Sequence, residues 1–445
     1  MDEGGATMRT ALDFLIAAKR CEIQGLEQLA VTGELVSGIS QLVHALQKER
    51  GVSNVFLASR AARFGPQRLE RVAECEAVEA TVRASFDRLD ADPGRVFDGA
   101  RLFSRIAYVL HALDTLPGLR ARVQALEIAP EDAIGAYTEL IGGLLAVVFE
   151  AADTAADPVI SRALVAMFNF IQGKELAGQE RAVGAAGFAV GRFDAARQQR
   201  LLHLVEAQER CFQIFSEFAD EQSLAAWRAA MSAPEVAEVE RFRRIACTAS
   251  AGGVLKADTS DQWFECATRR IDAMKRIEDE LAAALLRLCA SKVDEARADL
   301  QDQRKFFDSL AHLAPRTGGP VAVFLDEEGK ALAGGDEGQG PAVLGAGGLS
   351  PRLGRSILDM VHAQARRLQT MGDELNMARG ALHERKVIER AKGLLMAHRG
   401  LTEDQAYRML RQSAMDQKRR LVDVAEATLA LADFLPAGKD ERRPG

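Results

Sequence analysis

Aromatic residues make up only 6% of this 445-residue chain, with two tryptophans and three tyrosines, and proline is scarce at twelve. Few prolines leave helices uninterrupted, and few aromatics leave alanine and leucine to build the core. Helix-period apolar stripes run almost throughout, so an all-α fold is expected. Positive charge is also short: the net charge is −7, which excludes a general nucleic-acid coat and makes any basic site local. The six cysteines, Cys21, Cys75, Cys211, Cys247, Cys266 and Cys289, are dispersed, with no CxxC and no Cys/His spacing suited to a metal. They read as reduced, structural thiols with no zinc site. Seven scattered histidines offer no nucleophile–base arrangement, and no P-loop or Gly-rich dinucleotide turn is found, so an enzyme is not expected. No uncharged apolar run reaches a membrane span. The best candidate, Leu140 to Phe149, is ten residues between Glu139 and Glu150. The start, Met-Asp-Glu-Gly-Gly, is acidic where a signal peptide is basic, and a cytoplasmic location is expected.

What is present is long helices. The chain has the length of two or more domains, and a 48% hydrophobic composition suffices for large cores. From about Ala30 to Leu285 successive helices are expected, with breaks near Asp92-Pro93-Gly94, Pro117-Gly118, Pro130, Asp157-Pro158 and Gly252-Gly253. An internal echo lies within this region. Ala45-Leu46-Gln47-Lys48-Glu49-Arg50-Gly51-Val52 is mirrored 131 residues later by Leu176-Ala177-Gly178-Gln179-Glu180-Arg181-Ala182-Val183. The echo suggests two related bundles, each contributing one Glu-Arg pair. Most such pairs are surface charges. Here Leu46 and the Val52, Val55, Phe56 and Leu57 group place Arg50 on or beside an apolar face.

Residues 384–434 form a separate pattern of three short amphipathic helices. Val387, Ile388, Ala391, Leu394 and Leu395 recur at helical spacing, and Gly400 supplies a stop tolerant of the left-handed conformation. Thr402 with Gln405 makes a capping box for a second helix, whose apolar stripe is Ala406, Leu410 and Ala414. Lys418-Arg419-Arg420 then precedes a third stripe at Leu421, Ala425, Thr428, Leu429 and Ala432. Ten Lys/Arg stand here against eight Asp/Glu, so this module is less acidic than the rest. The strings Ala391-Lys392-Gly393-Leu394-Leu395-Met396, Glu403-Asp404-Gln405-Ala406-Tyr407 and Leu421-Val422-Asp423-Val424-Ala425 resemble the ANTAR domain. That resemblance implies a three-helix RNA-binding module of bacterial transcription antiterminators. RNA loops are read by stacking unpaired bases on aromatic or guanidinium planes with cations on the backbone. Tyr407, with Lys392, Arg411 and Lys418 beside it, makes the expected RNA-contacting set; otherwise Tyr407 is a helix-junction residue and the cations a solvated face.

The phrases Leu46-Gln47-Lys48-Glu49-Arg50-Gly51, Gln179-Glu180-Arg181 and Trp263-Phe264…Thr268-Arg269-Arg270-Ile271-Asp272 resemble the NIT domain, over residues 35–285. This implies a nitrate- and nitrite-sensing module of two four-helix bundles. Nitrate is a planar anion of low basicity, and a guanidinium fork meets two of its oxygens in plane while staying charged. Arg50 and Arg181 are the first candidates. The family pattern implies another arginine late in the module, for which Glu240-Arg241-Phe242-Arg243-Arg244 offers three, and Arg241 is taken as the third.

Residues 286–352 read as a linker rich in glycine toward its end, with a candidate β-hairpin at 321–333. Residues 353–383 read as one helix with Val361, Leu368, Leu375 and Leu382 seven apart and Met371 and Ala378 between them, a short coiled-coil seam. A NIT module upstream of an ANTAR module implies a homodimeric nitrate- or nitrite-responsive antitermination regulator that binds leader RNA stem-loops and needs no cofactor. The alternative is an ANTAR-type regulator responding to a different small anion or to a protein partner.

Overall fold

A computed structural model describes residues 11–89, 100–248, 259–311 and 351–432. Twelve helices and no strand occur among the described residues. They are α1 (Ala11–Ala58), α2 (Gly65–Asp87), α3 (Ala100–Gln124), α4 (Pro130–Thr154), α5 (Pro158–Val190) and α6 (Ala195–Phe218). Then follow α7 (Glu221–Met231), α8 (Pro234–Thr248), α9 (Thr259–Ala311), α10 (Pro351–Arg399), α11 (Glu403–Gln417) and α12 (Leu421–Ala432). The all-α expectation holds. The hairpin expected at 321–333 lies outside the described residues, as do the breaks expected near Asp92 and Gly252. Residues 286–311, expected as linker, continue α9.

Local signals explain most helix starts. The Asp157 carboxylate accepts from the amides of Val159 and Ile160, and Pro158 opens α5. Asp194 and Asp220 cap α6 and α7 in the same way. One expected break is absent: Pro117 sits inside α3. A proline there removes one helical hydrogen bond, at about 3 kcal/mol. Leu102, Ile106, Val109, Leu113, Leu116 and Val123 are buried along one stripe on both sides of it and outweigh that loss.

The chain divides into two compact units. The first comprises residues up to Glu27 together with Ala290–Asp373. In it Ile23, Leu26, Val293 and Ala296 are buried, and Lys19 and Arg367 both reach Glu22 and Asp299. The second unit, Gln28–Cys289 with Glu374–Gly445, holds both candidate sites. Its first four-helix bundle is α1 to α4. The second is α5, α6, α8 and α9, with α7 packed through its Trp227 on Phe170, Phe212 and Phe215. A separate small core of Val387, Ala391, Leu410, Ala414, Val422 and Ala425 ties the end of α10 to α11 and α12.

Two helices, α1 over Asp13–Ala58 and α4, are long and apolar enough by length and composition to cross a membrane. Both helices carry charged residues within them, Glu34 in α1 and Glu139 in α4, so the expectation that no uncharged apolar run reaches that length is unaffected. In α4 the side chains of Leu140, Ile141, Leu144, Leu145 and Val148 are buried in the bundle.

Candidate functional site

Of the echoed Glu-Arg pairs, Glu49, Arg50 and Glu180 are buried and Arg181 is half-buried, and within each pair the two side chains turn to different partners. Glu49 is fully buried and holds Arg120 of α3 through two hydrogen bonds of 2.8 Å, while the Tyr137 hydroxyl donates to it at 2.7 Å. Glu180, its counterpart, holds Arg243 of α8 at 2.6 and 2.7 Å and accepts from Gln208 of α6 at 2.7 Å. Burial alone would raise the Glu180 carboxyl, but the hydrogen bonds and charge of Arg243 hold it below the usual carboxylate range. The same pairing carries the Arg243 guanidinium above its ordinary value despite burial. Each glutamate therefore closes its own bundle.

The arginines face the other way, toward each other's helix. Arg50 Nη1 donates to Thr138 of α4 at 2.8 Å, and Arg181 Nη1 donates to Thr268 of α9 at 3.0 Å. The separations, 88 and 87 residues, continue the echo. Arg50 Nη2 lies against Gly178 of α5, and Arg181 Nη2 lies against Gly51 of α1. An added Cβ at Gly178 would crowd Arg50 at 3.3 Å, whereas one at Gly51 would stand in ordinary contact with Arg181 at 3.7 Å.

Compensation of the two charges is unequal. Arg50 makes a two-pronged pair with Glu175 of α5, at 2.6 and 3.1 Å. Arg181 makes no ion pair among the described residues. It has the Phe264 ring 4.9 Å from its guanidinium carbon, and its backbone carbonyl accepts from the Trp263 indole at 2.9 Å. Burial first, and the charge of Arg50 second, push its guanidinium down to about 10. An under-neutralised guanidinium beside a second one, between two helices, is the chemistry of a small-anion site.

Of the late arginines, Arg241 is exposed, with its guanidinium over the neighbouring Phe242 ring at 4.6 Å, and Arg244 is exposed. Arg243 is the buried one, and Glu180 occupies it. The structure therefore brings Arg50 and Arg181 together and does not bring Arg241 to them. Sequence reasoning missed Glu175, Thr138 and Thr268. The local clues were Lys174-Glu175, two charges in a stretch with no others nearby, and the place of Thr268 inside the phrase that begins at Trp263.

In the three-helix module the Thr402–Gln405 capping box is present, with both reciprocal hydrogen bonds, and Gly400 has φ +61°. Tyr407 is on α11 and packs against α6. Its ring is 5.2 Å from His203 in an edge arrangement, and Arg210 lies over it at 4.8 Å. Arg411 donates to Glu206, which raises its guanidinium, and Arg408 donates to Gln199 at 2.7 Å. A cavity of about 540 Å³ lies along this contact, with Arg200, His203, Glu206, Tyr407 and Arg411 in its wall. On α10 Arg385 lies over Phe168 at 4.8 Å, and Lys386 is 3.6 Å from Asp153. Two of the expected RNA contacts, Tyr407 and Arg411, are thus occupied by α6. Lys392 is buried with its ammonium on Glu389, and Lys418 is exposed as the left-handed cap that ends α11.

Comparison with known proteins agrees with this architecture. Residues 41–286 match the family described as NIT, nitrate and nitrite sensing, and residues 377–429 match the ANTAR domain. A "Nitrate regulatory protein" of Klebsiella oxytoca is 34% identical over 422 residues, which is 94% of this chain and 95% of that protein. The "Transcriptional regulatory protein PdtaR" of Mycobacterium tuberculosis is 32% identical over 72 residues, covering 16% of this chain and 35% of its own. Among solved structures, the NasR transcription antiterminator superposes with a TM-score of 0.57 at 31% identity, over 95% of this chain and 99% of that one.

Proposed function

Since this chain belongs to the NIT–ANTAR family of nitrate-responsive antitermination regulators, we propose that nitrate or nitrite bound between Arg50 and Arg181 controls whether its RNA-binding face is free. The family is a sensor joined to an RNA-binding module and not an enzyme. The observation that carries the site assignment is the unequal compensation of the two arginines: Arg50 pairs with Glu175, and Arg181 forms no ion pair among the described residues. An anion bridging the two forks gains charge-assisted hydrogen bonds in a site where an unmatched charge is costly.

α6 covers Tyr407 and Arg411, an arrangement in which neither can contact RNA. A physical route joins the two sites. Arg181 follows Glu180, Glu180 accepts from Gln208, and Gln208 lies on α6 between Glu206 and Arg210, which hold Arg411 and Tyr407. Binding that shifts α5 against α1 moves this chain of contacts and loosens α6 from α11. A ligand does so only by favouring one arrangement, and about 1–3 kcal/mol of coupling is typical of such systems. Released modules bind stem-loops of a nascent leader in the cytoplasm as a homodimer, for which the heptad spacing of α10 ahead of Leu382 offers a seam, Leu382 itself being buried within the protomer. Tyr407, Arg411 and Lys418 contact the RNA. Lys392, being buried, positions the end of α10.

The test is calorimetric titration of the purified protein with nitrate, with chloride as control, followed by RNA binding with and without nitrate. Saturable nitrate binding that both Arg50→Ala and Arg181→Ala abolish, together with nitrate-dependent RNA affinity, is expected. A folded protein that binds RNA equally with and without nitrate would sink the coupling. One that takes up no nitrate would assign the sensor to another anion or to a protein partner.

A further inference from the structure

Glu175 is the carboxylate paired with Arg50. Its Oε1 accepts from Arg50 Nη1 at 2.6 Å and from Gln179 Nε2 at 2.9 Å, and its Oε2 accepts from Arg50 Nη2 at 3.1 Å and from Gln47 Nε2 at 2.7 Å. Four donors saturate the carboxylate, from α1 on one side and α5 on the other. It is buried and fixed, and it has no spare acceptor for a ligand.

The other hydrogen-bond partners of the two guanidiniums, Thr138 and Thr268, are neutral. The neighbouring Lys174 does not alter the sum, because it pairs with Glu278 at 2.5 Å, both side chains being fully buried. Asp272 acts on Arg181 from an exposed position on α9, where water screens it. Two guanidiniums against one carboxylate leave a single uncompensated positive charge in a site largely withdrawn from water. A monoanion neutralises it. A dianion of similar size leaves an unmatched negative charge, with the desolvation penalty that a buried charge carries.

We infer that Glu175 sets the valence selectivity of the site: by neutralising Arg50 in advance it leaves room for one negative charge, so that the site takes monoanions of the nitrate type and rejects sulfate. This rests on the assignment of the anion site to Arg50 and Arg181, and it adds what decides between anions there. Removing the Glu175 charge raises the site from one net positive charge to two and favours the dianion. Adding a charge beside it, at Gln179, cancels the site.

The experiment titrates the full-length protein and its Glu175→Gln, Glu175→Asp and Gln179→Glu variants with nitrate and with sulfate, each shown folded by circular dichroism. Wild type is expected to bind nitrate and not sulfate. Glu175→Gln should raise the sulfate-to-nitrate affinity ratio by about tenfold or more, which is about 1.4 kcal/mol. Glu175→Asp keeps the charge and should keep the wild-type ratio, and Gln179→Glu should lose nitrate binding. An unchanged ratio in folded Glu175→Gln, an equal change in Glu175→Asp, or full nitrate binding in Gln179→Glu overturns the inference. Wild-type protein that binds no nitrate overturns the site assignment itself, a separate result.

Discussion

Arg411 on α11 donates to the Glu206 carboxylate on α6, so a cation of the RNA-binding module is held by an acid of the sensor. Both side chains keep partial exposure, 48% and 35%, so solvent screens the pair. An exposed pair contributes about 0.2–1 kcal/mol. Glu206→Ala is therefore expected to raise RNA affinity in the absence of nitrate by at most about fivefold. The affinity with nitrate should stay the same. Filter binding of a leader stem-loop, with and without nitrate, reads both. An affinity in the absence of nitrate that does not move would separate the ion pair from the control of RNA binding.

Tyr407 sits at the centre of the same contact, under Arg210 and at the edge of His203. Its replacement affects both states in opposite senses. Loss of the ring loosens α11 from α6, yet it also removes a stacking surface for an unpaired base. Base–aromatic stacking contributes about 1–3 kcal/mol per base. Tyr407→Ala should therefore lower RNA affinity at saturating nitrate by about ten- to a hundredfold. Tyr407→Phe keeps the ring and should lose much less. Equal losses for the two variants would point to the hydroxyl instead of the ring.

The parts of this molecule that were legible in its sequence are those written locally. The Thr402–Gln405 box, the Gly400 stop and the Asp157-Pro158 start each depend on neighbours within a few positions, and each is present. Arg50 and Arg181 were found through an echo, which is also a sequence property. Thr138, Thr268 and Glu175 were not found, because they meet the arginines across 88, 87 and 125 residues respectively. No local period encodes which helix packs on which. Which of Arg241 and Arg243 faces inward was not legible for a related reason. Two positions apart, they point to opposite sides of α8, and only the burial of Val239, Phe242 and Ala246 identifies the inner side. Pro117 shows the converse, a strong local breaker overruled by the packing of its helix.

His44, on α1 one turn ahead of Lys48, carries a pH dependence. Burial, then the charges of Lys174 and Lys275, hold its imidazole down to about 3, against the opposing pull of Glu278. The folded protein keeps the ring neutral, whereas the unfolded chain protonates it below about pH 6.5. Between those values the unfolded state binds more protons, so stability falls as pH falls. The limiting slope is about 1.4 kcal/mol per pH unit, and nothing is lost above pH 6.5. Urea midpoints at about pH 7.5 and about pH 5 should show wild type losing more stability than His44→Gln. Parallel losses would assign the acid sensitivity to the buried carboxylates, which both proteins share.

Gly184 on α5 and Trp263 on α9 close the far side of the Arg181 turn. A Cβ added at Gly184 would stand 2.4 Å from two atoms of the Trp263 indole. The ring cannot retreat easily, since it is buried among Phe188 and Phe242, with centroids 5.8 and 6.0 Å away. Overpacking of this kind costs about 1–3 kcal/mol. Any shift of the indole also strains its hydrogen bond to the Arg181 carbonyl, which ties the Arg181 turn of α5 to α9. Gly184→Ala should therefore lower both the thermal midpoint and the nitrate affinity. Gly142→Ala, in the interior of α4, meets no atom within 4 Å. There the better helix former should stabilise the protein by about 0.5–1 kcal/mol and leave nitrate binding unchanged. The opposite signs follow from the neighbours alone, because both substitutions add the same methyl group to a helix. A Gly184→Ala protein as stable as wild type, with unaltered nitrate affinity, would show that Trp263 is not what fixes Arg181.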